Sequence, residues 1–272
     1  MKNYVRWLPW LVAGLATLWV VSGILPRSNS GFELGEFGRL PVVLNGRVQP
    51  LDSVARNSLR QLRNKQTALR DSRTRVPAIE WLLEAFNRPA RADELKSFRI
   101  DNPELLGLLK LPENEKHFSF SEVRPSLTEL ERQARRVDEV PVQNRTAFEK
   151  TMKLYSSLVL YQRLKNSLSP EFSTNFLAEL TDYDQLLPAA AAAAKAHQEG
   201  GQFDSAALNR IMVFVRRYSQ MAELSHPLMV PPADPRAPDT DWQKMGASLV
   251  AAVEKGSLHP AVKWYAQMGR AY

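Results

Sequence analysis

The sequence predicts a mainly α protein: one N-terminal transmembrane helix, then a helical extracytoplasmic domain that carries a short β-hairpin. Three observations lead there. Residues 7–25 are uncharged and apolar over 19 positions, close to what a helix needs to cross the hydrocarbon layer. From residue 126 onward, apolar side chains return with helical spacing. Between these regions, Asn45-Gly46 separates two β-prone runs, and Asn-Gly is a strong hairpin signal because both central residues of a type I′ turn need positive φ.

The boundaries follow in order: a membrane anchor at 1–26, a linker at 27–37 and a helical domain at 38–272. Lys2 and Arg6 precede the apolar run, and Trp7, Trp10 and Trp19 lie towards its ends. Positive-inside reasoning therefore places the N-terminus in the cytoplasm and the domain outside. A cleaved signal peptide, with Val21-Ser22-Gly23 as its site, is the competing reading. The linker is polar and contains glycine.

Val42, Val43 and Leu44 form the first strand and Arg47, Val48 and Gln49 the second, which Pro50 stops. Asp52 is expected to cap the next helix. That helix places Ala55, Leu59 and Leu62 on one face and Arg56, Arg60 and Arg63 on the adjacent one. Residues 64–75 read as a solvated polar segment. A short helix at 79–86 follows, then a brief strand at 98–100 and a helix start at Asp101-Asn102-Pro103-Glu104.

Ser126-Leu127-Thr128-Glu129 has capping-box spacing, and Leu127, Leu130, Ala134 and Val137 continue as a seam. After Val140-Pro141-Val142 the longest helix is expected at 144–168, pairing with its predecessor. Its stripe is Phe148, Met152, Tyr155 and Val159, with Leu154, Leu158 and Tyr161 beside it. Pro188 is expected to open an alanine-rich helix closed by Gly200-Gly201. Asp204 caps another, with Leu208, Ile211, Val215 and Tyr218 inward. The proline-rich 226–238 stretch excludes regular helix. Trp242, Met245, Leu249 and Val253 then form a stripe ending at Gly256, and Pro260 opens a last helix with Ala261, Tyr265, Met268 and Tyr272 in phase.

Composition narrows the chemistry. There is no cysteine, which excludes disulfides, thiolate metal sites, a cysteine nucleophile and covalent heme attachment to this chain. Residues 39–75 hold nine basic side chains against Asp52 and Asp71, a surplus equal to the +7 of the whole protein. Such a patch suits an anionic partner or a lipid surface, with a solvated helix face as the plain alternative. Aromatic residues interleave poorly with it, so nucleic acid is not expected. Four histidines stand at 117, 197, 226 and 259, with no zinc motif. His117 and His197 read as surface residues, and His259 as helping to start the last helix. His226 and Met229 are both heme-ligand types near each other in an irregular segment, although such neighbours are more often structural. No nucleophile elbow, P-loop or dinucleotide fingerprint is present, so no catalytic residue is assigned.

The run LPVVLNGRVQPLDSVARNSL resembles the start of the extracytoplasmic region in bacterial System II cytochrome c assembly proteins, through Gly46, Arg47, Pro50, Leu51, Asp52, Ala55, Arg56 and Asn57. Ser53-Val54 depart from the usual pattern, and weaker echoes lie at 98–109, 118–123 and in Pro231, Pro232 and Trp242. The resemblance implies a non-catalytic component in the bacterial inner membrane. It would position partners near a heme-attaching module, supplied by a multi-helix membrane protein or by a C-terminal extension. Apocytochrome c is a further implied partner, and heme would be handled through the assembly partner. Patch and motif together mark Arg39, Arg47, Asp52, Arg56, Asn57, Arg60 and Arg63 for a partner or anionic ligand. The alternative is an envelope adaptor that uses the same arginines on anionic lipid or an acidic protein. The final helical pattern reaches Tyr272 without a stop signal, so an extension or a separately encoded neighbouring module is expected.

Overall fold

Two aromatic clusters mark where the helices meet. Tyr161 stacks on Trp81 at 6.1 Å between ring centres, meets Phe98 edge-to-face at 5.5 Å and lies tilted against Phe120 at 5.2 Å. Tyr183 meets Tyr218 at 4.9 Å and Phe214 at 5.3 Å. The computed structural model describes Val12 and residues 32–136, 146–171, 173, 175–234 and 236–272. Residues 34–272 form one compact unit, mainly helical with small antiparallel hairpins, and 1–33 a separate one. Apart from Val12, the expected membrane helix at 7–25 falls outside the described residues. Among those described, no helix is long and apolar enough to cross a membrane.

Helix α1 (Leu34–Arg39) buries Phe37, so the compact unit begins inside the expected linker. Strands β1 (Pro41–Leu44) and β2 (Arg47–Pro50) pair in the register Leu44↔Arg47, with Asn45 at φ 54° and Gly46 at φ 71°. This is the turn geometry that Asn-Gly favours. Helix α2 (Leu51–Arg63) follows directly, burying Leu51, Val54, Ala55, Leu59 and Leu62. Asp52 does not cap it. The cap position is Pro50, and Asp52, two residues further in, accepts instead from Arg56 Nε at 2.6 Å.

The 64–75 stretch is also not simply solvated loop. Strands β3 (Thr67–Leu69) and β4 (Arg75–Pro77) form a second hairpin, burying Ala68 and Val76 around an Asp71 turn that accepts from the Arg73 and Thr74 amides. Helix α3 (Ala78–Asn87) buries Trp81, Leu82, Leu83 and Phe86, and α4 (Pro89–Glu94) follows. Strand β5 (Phe98–Arg99) pairs with β6 (His117–Phe118). Between them α5 (Pro103–Leu109) is capped by Asn102, which accepts from Glu104 N and Leu105 N.

A capping box not expected from the sequence lies just ahead of the predicted one. Ser119 and Glu122 make it for α6 (Phe120–Val123), while Ser126 ends a 3-10 turn and donates its hydroxyl to Leu109 O. Helix α7 (Leu127–Arg136) buries Leu130 and Ala134 and packs on α8 (Thr146–Lys165). The Val140-Pro141-Val142 break, Val137 and the Phe148 side chain lie outside the described residues. In α8 the residues beside the expected stripe are the buried ones: Leu154, Leu158 and Tyr161 are inside, joined by Leu164, and Met152, Tyr155 and Val159 are half-buried. The longest described helix is α9 (Phe176–Gln198), with Pro188 inside it rather than opening it. Asp204 caps α10 (Ser205–Leu224), and α11 (Met245–Lys255) ends on left-handed Gly256. His259 caps α12 (Pro260–Ala271) by accepting from Ala261 N.

Candidate functional site

Helix α2 has a third face between its apolar stripe and its arginines. Val54, Asn57, Ser58 and Gln61 follow one another at helical spacing, and all line one cleft of about 430 Å³. The first hairpin supplies Leu44, Asn45, Arg47 and Gln49 to the same cleft, and α8 supplies Leu160. His226 closes the lining from more than 160 residues away in sequence.

Backbone pairing brings His226 there. Val43 N donates to Leu228 O at 3.0 Å, and Leu228 N returns a bond to Val43 O at 2.9 Å. The 226–230 segment thus adds to the free side of β1, and a further bridge joins Val230 to Gln243. His226 N donates to the buried Ser167 hydroxyl, which itself donates to Arg163 O at 2.7 Å. Burial lowers the proton affinity of the His226 ring, and Arg163 and Lys244 lower it further. The imidazole is therefore neutral near pH 7.

The lining is one guanidinium, several side-chain amides, a hydroxyl and a neutral imidazole, without a carboxylate. No acid–base pair or metal-ligand set is formed by these groups. The arrangement can hydrogen-bond a polar partner or ligand.

The sequence-marked residues separate. Arg47, Asn57 and His226 come together at the cleft. Arg39 is exposed and bonds to Glu36 at 2.7 Å. Arg56 is exposed with Asp52 as its partner, and Arg60 is exposed on α2. Arg63 is not part of an exposed basic face: it is 6% exposed and donates to Thr67 O across the next turn. Met229 is fully buried in the core and is not among the residues lining the His226 cleft. Among the described residues, no cluster of histidine and carboxylate side chains could hold a metal ion.

The sequence marks none of Asn45, Gln49, Ser58 and Gln61 as a site residue; Asn45 and Gln49 enter there only as hairpin positions. The i, i+4 spacing of Asn57 and Gln61 was the available signal. Comparison with known protein families, with curated proteins and with solved structures finds no match to this chain.

Proposed function

We propose that the chain is a membrane-anchored, non-catalytic component of bacterial cytochrome c assembly, which positions a partner protein near a heme-attaching membrane module. One observation carries this reading. Arg47 and Asn57, both in the stretch that resembles System II assembly proteins, share a polar cleft with His226. A motif spread over a turn and a helix gains a common purpose if its side chains contact one partner. The absence of carboxylates from that lining favours recognition over proton transfer. Heme belongs to the partner in this reading, since Met229 is buried away from the cleft that His226 lines.

The test is a strain lacking the gene, scored for heme-stained c-type cytochromes and complemented with the parent or with R47Q/N57A. The deletion is expected to lose holocytochromes, and the double variant to restore them only in part at an equal chain level. Wild-type cytochrome levels in the deletion strain would rule the assembly role out.

A further inference from the structure

A second cavity, of about 650 Å³, lies where the end of α2 meets the β3–β4 hairpin and strand β6. Five cations line it: Arg63, Arg73, Arg75, Lys96 and Lys116, beside His117. Glu115 is the one carboxylate in the lining, and it is already bonded to Lys96. Arg73, Arg75 and Lys116 have no side-chain partner among the described residues.

Arg63 is the informative member. Its side chain is 6% exposed, Nη1 is used on Thr67, and Nε is buried with no hydrogen-bond partner. The fields of Arg75 and Arg99 add to burial in weakening its hold on a proton. A buried charge ordinarily has a counter-ion or a full set of bonds, because desolvation without them is strongly unfavourable. Here the nearby charges repel it, and it stands with four other cations around the one cavity.

We propose that this cavity is an oxyanion site for a multiply charged phosphate group. Guanidinium forks match phosphate oxygens, and several together favour a phosphate or pyrophosphate over a single carboxylate. The volume is within the range of small-molecule sites. The same chemistry could arrive as a soluble phosphate compound or as a phosphomonoester lipid headgroup. The site is separate from the His226 cleft, so the proposal stands independently of the assembly role.

His117 provides a local reporter. It pairs with Arg99 across β5–β6. Burial, with Arg63, Arg99 and Lys96, lowers its proton affinity, against a smaller opposing effect of Asp101. A bound phosphate would offset those cations and raise it.

The experiment is calorimetric titration of the full chain in detergent with pyrophosphate, at low and high salt, alongside NMR titration of the His117 ring. Binding that weakens with salt, together with a higher His117 pKa in the complex, is expected. R73Q/R75Q changes two exposed side chains and should weaken binding at least about tenfold, as expected for lost charge-assisted bonds. R63Q should abolish binding; if that variant does not fold, the R73Q/R75Q result decides. Vesicles of phosphatidylcholine with and without phosphatidic acid separate the sources. Capture by phosphatidic acid that pyrophosphate displaces identifies a headgroup, and soluble binding without capture identifies a free phosphate compound. No pyrophosphate binding at low salt, or equal binding by R73Q/R75Q, would overturn the site, as would vesicle capture that pyrophosphate does not compete.

Discussion

At Gly46 the backbone takes a φ of 71°, and no side chain would be obstructed there, so the constraint is purely conformational. Gly46→Val places a β-branched residue in that region and should destabilise by about 1–3 kcal/mol, read from urea unfolding. Gly246 is constrained by space. A Cβ there would lie 2.5 Å from both Ala222 N and Tyr218 O, which belong to the α10 backbone against which α11 packs. Gly246→Ala must push the two helices apart and should lower stability by about 1–3 kcal/mol. An unchanged melting curve would mean the helix contact is looser than the geometry indicates. Arg56 and Arg60 face solvent, and Gln at both positions is expected to shift stability by no more than about 0.5 kcal/mol. Arg63 does not belong with them, although a helical wheel places it on their face. The turn into β3 folds back over its side chain, and no spacing rule applied to α2 alone contains that contact.

Among the elements, several with local causes were legible, Asp52 being an exception. Asn45-Gly46, Asn102 before Pro103, Asp204 and Gly256 each act on backbone within a few residues, and each lies where the sequence predicts. The β3–β4 hairpin escaped because three-residue strands with only Ala68 and Val76 fully inside carry almost no alternation. The half of the candidate cleft that lies in residues 44–61 was partly visible as a motif. Its other side was not, because the Val43–Leu228 pairing is long-range and leaves no periodic trace. Pro188 misled for a different reason: proline is common at helix starts, yet here it sits within α9, exposed, where it cannot donate to the carbonyl one turn back. Pro188→Ala supplies that donor. It should stabilise the protein by about 1–2 kcal/mol, less than the roughly 3 kcal/mol of a fully helical host, because the native helix has adapted to the ring. A lower melting temperature for the variant would show that α9 depends on the proline's geometry for its contacts.

Across the whole molecule, His117, His226 and His259 share one property: each is partly buried and holds a proton less readily than an ordinary imidazole. They sit in different places, on β6, beside β1 and at the start of α12. Burial is the leading cause in all three, and neighbouring cations add to it: Arg63, Arg99 and Lys96 at His117, Arg163 and Lys244 at His226, and Lys255 at His259. In the unfolded chain these groups return to a pKa of about 6.5. Below that value the unfolded state binds more protons than the fold, so stability is present above it and lost as pH falls through it. His259 adds a structural reason. Its Nδ1 accepts from Ala261 N at 3.2 Å, and a protonated Nδ1 has no lone pair to offer, so acid removes the cap from α12. Melting temperature should therefore fall between pH 7 and about pH 5, before most carboxylates titrate. His259→Asn keeps a cap acceptor that does not titrate. It should leave stability at pH 7.5 nearly unchanged and make the acid side of the profile shallower. A variant that loses stability equally at both pH values would show that the imidazole serves by its shape. A parent profile flat from pH 7.5 to 5 would mean that none of the three histidines is held neutral by the fold.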